Sequence, residues 1–259
     1  MEYRVDFATQ QNRKDFDKPN EDFIFVDENN GIFIVLDGVT RDKIDDLYPQ
    51  PSPSYEVSKI FADKAYAYII DNFSKNIDTL TIIKNAFAEG NAEIKRFNRS
   101  YTGDFLPGTV GIIAIIKENK LYYGYIGDCL GVLLNEQARK EFTTCQTKLI
   151  HEHIKYFTAF EIRNYICNHH NHPYSYGVLD GRESAIDFVV TEMMALDKYK
   201  ELVLATDGVE DTVRQMPINE LLFSNAQDLV TDKIYNKSTD DKTVIIVRFT
   251  TDENNDQDS

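Results

Sequence analysis

NEDFIFVDENNGIFIVLDG, residues 20–38, holds two apolar runs joined by a polar turn. Phe23 to Asp27 and Ile32 to Leu36 are short apolar runs of Phe, Ile and Val, the composition of strands. Between them, Glu28-Asn29-Asn30-Gly31 is turn chemistry, because Asn and Gly tolerate the positive φ of a tight reversal. The stretch therefore reads as a hairpin with an acidic segment at each end. Asn20-Glu21-Asp22 leads into the first strand and Leu36-Asp37-Gly38 leaves the second.

Further along the chain the same arrangement recurs. Ile126-Gly127-Asp128, Thr206-Asp207-Gly208 and Asp240-Asp241 each lie at the edge of an apolar run that reads as a strand. Taken singly, Asp-Gly is ordinary turn chemistry, since Asp accepts local backbone hydrogen bonds and Gly permits positive φ. Brought together by folding, the carboxylates pose an electrostatic problem. Two of them about 4 Å apart repel by roughly 4 kcal/mol at an effective dielectric near 20, so a converging set either takes up protons or binds cations. Oxygen-only ligation, with no paired Cys or His at these segments, suits Mg²⁺ or Mn²⁺ rather than zinc. The residues thus point to a two-metal hydrolase.

Composition narrows the class. A chain of 259 residues with 42% hydrophobic content can bury one large core, as expected for one domain over 1–250. The net charge of −15, with 43 acidic residues against 28 Lys and Arg, argues against nucleic acid and anionic membrane surfaces as partners. No run approaches the roughly 18 apolar residues of a membrane span, and MEYRVDFATQ lacks the basic and apolar regions of a signal peptide, so a cytoplasmic location is expected. Cys129, Cys145 and Cys167 are odd in number and have no framework spacing, which predicts reduced thiols.

Tyr3 to Thr9 reads as a further strand. Three prolines, Pro49, Pro51 and Pro53, mark residues 41–54 as a loop that leaves from Asp37-Gly38 and borders the site. Amphipathic helices are predicted over about 55–74, with Ile60, Phe61, Ala65, Tyr68 and Ile69 on one period, and over about 77–98. Val110 to Lys117, Leu121 to Ile126 and Gly131 to Leu134 read as antiparallel strands, with Glu118-Asn119 as a hairpin turn. Residues 138–176 read as a polar, His-rich surface insertion with one helix near 157–167. Ile186 to Met193, Glu201 to Ala205 and Thr243 to Phe249 restore strand character, and Pro217 to Tyr235 reads as helical. The acidic end, residues 251–259, reads as a disordered tail. His151, His153, Cys167, His169, His170 and His172 invite a zinc reading, but their spacing matches no standard ligand pair.

In order and context, Asn20-Glu21-Asp22, VLDG at 35–38, GTV at 108–110, YIGD at 125–128, LATDG at 204–208 and STDDKTVIIVRF at 238–249 resemble the metal-dependent phosphatases of the protein phosphatase 2C family. One fragment alone would be weak; the ordered series is specific. The resemblance implies an α+β fold, a four-layer αββα sandwich with two packed antiparallel sheets and the metals at one end. It implies that Asp37 bridges two Mg²⁺ or Mn²⁺ ions and that the Gly38 carbonyl helps hold one of them. Glu21, Asp207 and Asp240 match ligands of the second, Asp22 stands beside them as ligand or outer neighbour, and Asp128 with Asp207 matches the holder of a third, weaker ion. Asp241 follows Asp240 as its outer-shell neighbour.

The implied activity is hydrolysis of phosphomonoesters on phosphoserine and phosphothreonine by a metal-activated water, with Asp37 and Asp207 at the centre of catalysis. Phosphorylated proteins are the implied substrates, with a Ser/Thr kinase as the implied partner. Two departures concern substrate handling. Asp17 stands where eukaryotic members carry a phosphate-clamping Arg, leaving Lys18, or Arg13 and Lys14, to supply positive charge. Val39 and Thr40 replace a His and a glycine after the second motif, while Cys129-Leu130 replace Ser-Arg after the third. Two other readings stand beside this one: a catalytically silent binding module on the same fold, and a two-metal hydrolase of small phosphate esters or phosphodiesters.

Overall fold

The computed structural model describes residues 2–11, 17–39, 43, 47–103 and 105–250. Among them two five-stranded antiparallel sheets form the centre of the molecule. The first runs in the order β1 (Glu2–Gln10), β10 (Lys242–Thr250), β9 (Glu201–Ala205), β6 (Leu130–Leu134), β7 (Arg139–Glu141). The second runs β2 (Phe23–Asp27), β3 (Ile32–Gly38), β4 (Thr109–Lys117), β5 (Lys120–Ile126), β8 (Val190–Ala195).

Why the central strands lack polar alternation follows from what covers them. Side chains of a strand point alternately to its two faces, and here both faces are buried. From β3 and β4, Phe33, Val35, Ile112 and Ala114 meet Leu202, Leu204, Ile245 and Val247 of the other sheet. The alternate residues Ile32, Ile34 and Leu36 face α1 (Pro53–Asn72) and α2 (Thr79–Asn98) through Val57, Phe61, Ala65, Ile69 and Phe87. On the opposite outside, Val203, Ala205, Val244 and Ile246 pack with Val209, Val213, Leu221, Leu229 and Val230. The result is the expected αββα layering of an α+β fold.

The opening hairpin has the predicted register, Phe23 against Leu36 and Asp27 against Ile32, with Gly31 at φ +66° in its turn. Glu118 and Asn119 both adopt positive φ, 50° and 58°. That is the geometry of a two-residue turn matched to strand twist, and it joins Lys117 to Lys120.

Several boundaries differ from the sequence reading. α1 begins at Pro53, not within the loop's far side, because Ser52 caps it and proline is tolerated at the first helical position. The run Ile186 to Met193 is split: Glu183–Phe188 is a 3-10 helix and β8 begins at Val190. Ala185, Ile186 and Phe188 pack into the layer under α1 and α2, and a short apolar run does not by itself separate strand from helix. The predicted helix over Pro217 to Tyr235 is two, α6 (Ile218–Phe223) and α7 (Ala226–Thr231), because Asn225 stops one and caps the next with Asp228. Short polar elements were illegible: β7, α5 (Glu210–Gln215), α3 (Lys148–His153) and Ile154–Tyr156. The helix read near 157–167 is present as α4 (Ala159–Glu161) continuing into Ile162–Ile166. Among the described residues no helix is long and apolar enough to cross a membrane. The tail at 251–259 lies outside the described residues.

Candidate active site

Antiparallel pairing brings the five acidic segments to one end of the two sheets. Leu36 pairs with Gly111, which pairs with Ile126, so Asp37 and Asp128 leave the second sheet on the same side. In the first sheet, Ala205 pairs with Leu130 and Val244, placing Asp207 and Asp241 beside the chain that leads from Asp128 into β6. Glu21 and Asp22 precede β2, whose Phe23 is opposite Leu36.

Four of the carboxylates are held by neighbours of identifiable chemistry. The Thr206 hydroxyl donates to Asp22 Oδ2 at 2.9 Å and accepts from the Thr243 amide at 3.0 Å, tying the first acidic segment to the start of β10. Ser52, the α1 cap, donates its hydroxyl to Glu21 Oε1. The Glu21 amide donates to Asp241 Oδ2 at 3.1 Å. Thr147 donates to Asp128 Oδ2 at 2.7 Å, while Gln146 braces the preceding turn by accepting from the Gly127 amide and donating its own amide to the Gly127 carbonyl, both at 3.0 Å. Thr109 donates to the Asp37 carbonyl at 2.9 Å.

Two glycines are required here by close approach rather than by φ, since neither adopts a positive value. A Cβ on Gly38 would lie 2.6 Å from the Glu21 carbonyl oxygen, and one on Gly208 only 1.8 Å from that of Asp241. The Asp-Gly pairs thus let four acidic segments come into backbone contact, two by two.

The electrostatic consequence is plain at Asp37. Burial raises its carboxyl above the usual range, and the carboxylates of Asp22, Asp207, Asp128 and Asp240 raise it further. Burial likewise raises Asp22, with Asp241 and Asp207 adding to it, and pushes Glu21 up to about 7 against the pull of Lys18. Lys18 lies with its ammonium 3.1 Å from Asp241, 3.3 Å from Asp240 and 3.4 Å from Glu21. Burial would lower its pKa, but those three charges raise it instead. Among the described residues no three His, Cys, Asp or Glu side chains stand close enough to ligate one ion as they are. The donor chemistry nonetheless fits a hard divalent cation: every carboxylate is an oxygen donor, and the buried Glu21 Oε2 meets the Lys18 ammonium at 3.4 Å without a well-formed hydrogen bond.

The family model described as Protein phosphatase 2C matches residues 14–151, more than half of the chain. The chain belongs to the protein phosphatase 2C family. Solved structures of that fold superpose along nearly all of it. The serine/threonine phosphatase Stp1 from Staphylococcus aureus is 18% identical, with 97% of this chain and 96% of that chain covered at a TM-score of 0.68. The Mycobacterium tuberculosis phosphatase PstP/Ppp is 19% identical, with 96% and 99% covered at 0.67. The catalytic domain of PstP in complex with 2 manganese ions is 18% identical, with 95% and 97% covered at 0.67. At these identities the likeness is one of fold. No curated protein matches the chain in sequence. Members of the protein phosphatase 2C family are Mn²⁺- or Mg²⁺-dependent serine/threonine phosphatases with a binuclear centre.

Glu21, Asp22, Asp37, Asp128, Asp207, Asp240 and Asp241 all lie at one end of the two sheets. What sequence reading missed are the hydroxyls that hold them: Ser52, Thr109, Thr147 and Thr206 carry no pattern of their own. Asp17 is exposed, and Arg13, Lys14 and Thr40 lie outside the described residues. Val39 follows Gly38 and its carbonyl accepts from Arg163, which also donates to the Leu106 carbonyl at 3.0 Å. Arg163 therefore ties the 159–166 segment to the site's edge. Cys129 is buried, and burial with the Asp37 and Asp128 charges pushes its thiol up, so it is no thiolate nucleophile. Away from the strand ends, His170 contacts Asp187 at 2.9 Å and stacks on Phe188, while His153 stacks on Tyr174.

Proposed function

We propose that this chain is a Mg²⁺- or Mn²⁺-dependent serine/threonine phosphoprotein phosphatase. The observation that carries the reading is Asp37, a carboxylate at a strand end whose surroundings are four more carboxylates, Asp22, Asp207, Asp128 and Asp240. Such a group of like charges favours cations strongly, because the alternative is protonation of groups meant to be acids.

Asp37 and the Gly38 carbonyl would hold one ion, and Asp37, Glu21, Asp207 and Asp240 a second, with Asp22 beside them and Asp128 available to a third. Divalent ions bound there supply a nucleophilic water at neutral pH and neutralise phosphate charge. The chain's own part is orientation. Thr206 fixes the Asp22 carboxylate, Ser52 that of Glu21 and Thr147 that of Asp128, so that little reorganisation is needed when a cation and a phosphate arrive. Supporting partners of this kind commonly contribute 10–100-fold in metal affinity or activity. Phosphorylated proteins are the proposed substrates, with a Ser/Thr kinase as the partner whose products they are.

The test is hydrolysis of a phosphothreonine peptide and of a nucleotide, with Mn²⁺ and with chelator, by wild type and Asp37→Asn. We expect Mn²⁺-dependent peptide turnover that falls by at least about 100-fold in the variant, since Asp37 would hold the ions directly and even the partners of metal ligands contribute 10–100-fold. Turnover of the nucleotide alone would make it a small-ester hydrolase. No turnover of either substrate would make it a silent module and overturn the proposal.

A further inference from the structure

Lys18 occupies an unusual place for a lysine. Its side chain is 14% exposed, and its ammonium faces Asp241 Oδ2 at 3.1 Å, Asp240 Oδ1 at 3.3 Å and Glu21 Oε2 at 3.4 Å. Two of these carboxylates are buried, Glu21 at 2% and Asp241 at 3%, while Asp240 is 45% exposed. The backbone beside it is held as well, since Gln11 donates its side-chain amide to the Lys18 carbonyl. An ammonium carries three N–H donors and no acceptor, which suits three surrounding carboxylate oxygens. It is also a compact point charge, so it does for this side of the cluster what a bound cation would do.

We propose that Lys18 is a built-in counter-ion that competes with a divalent cation for the Glu21, Asp240 and Asp241 side of the site. This rests on the reading of the strand ends as a divalent-cation site. A cation entering on that side must displace the ammonium from the three carboxylates. Metal is therefore held there more weakly than the carboxylates alone would hold it. In the absence of metal, Lys18 holds the like charges of the first and last acidic segments together.

Isothermal titration of Mn²⁺ into the whole chain tests this with wild type, Lys18→Met and Lys18→Arg, alongside melting temperatures in chelator and across a Mn²⁺ series. Lys18→Met keeps the apolar stem and removes the charge. It should tighten Mn²⁺ binding by about tenfold, some 1.4 kcal/mol, melt below wild type in chelator, and gain more melting temperature from Mn²⁺ than wild type does. Lys18→Arg should stay within about threefold of wild type, because the charge remains. Should Lys18→Met be too unstable to titrate without metal, the Mn²⁺ concentration at the midpoint of its melting-temperature rise reads the same affinity. Lys18→Met binding no more tightly than wild type, or failing to fold at any Mn²⁺ concentration, would overturn the proposal and leave the metal site standing. Absence of Mn²⁺ binding in all three proteins would overturn the metal reading with it.

Discussion

Thr206 has a fully buried side chain with two bonds to keep, one donated to Asp22 and one accepted from the Thr243 amide. Replacing it by Val preserves shape and leaves both partners unsatisfied, which should cost about 1–3 kcal/mol, read by urea denaturation in chelator. Gly208 presents a different problem: the Cβ of an alanine would fall 1.8 Å from the Asp241 carbonyl oxygen. That neighbour is backbone and cannot turn aside. Gly208→Ala should therefore destabilise by about 1–3 kcal/mol as an overpacked site and weaken Mn²⁺ binding in calorimetry, because the Asp240-Asp241 segment must move away from Asp207. At this scale the sequence showed the acids but not their holders. Asp-Gly announces a turn, yet Gly208 serves close approach without a positive φ. Nothing local distinguishes the hydroxyl of Thr206 from that of any other threonine.

Among the elements, the strands were legible wherever both faces are apolar. β3, β4, β9 and β10 are nearly continuous Ile, Val and Leu because one face meets the other sheet and the other meets helices. Long helices were legible for a related reason, since α1 and α2 each present one buried stripe. Short polar elements were not, because too few positions are buried to set a period; β7, α3 and α5 are of this kind. The pairing of β9 with β10 also contains a titrating pair, Glu201 opposite Arg248, with their side chains 2.8 Å apart. Burial pushes the Glu201 carboxyl up to about 7, with Arg248 pulling the other way. Its pKa is higher in the folded protein than in the unfolded chain, so its contribution to stability is full below the ordinary glutamate value and is lost as pH rises through about 7. Between pH 5 and pH 8 wild type should lose roughly 1–3 kcal/mol from this source, and Glu201→Gln should show a correspondingly flatter stability profile by chemical denaturation.

At the scale of the whole molecule, two antiparallel sheets packed face to face put the ends of many strands at one edge, and the chain concentrates its acids there. A net charge of −15 sets a field that draws cations and repels polyanions, while Lys18 supplies positive charge inside the cluster itself. The central claim is that these strand ends are a divalent-cation site organised on Asp37. Crystals grown with Mn²⁺, with data collected near the manganese absorption edge, test it most directly. Two anomalous peaks are expected between the Asp37 and Asp207 strand ends. Well-ordered strand ends with no anomalous peak at saturating Mn²⁺ would contradict it.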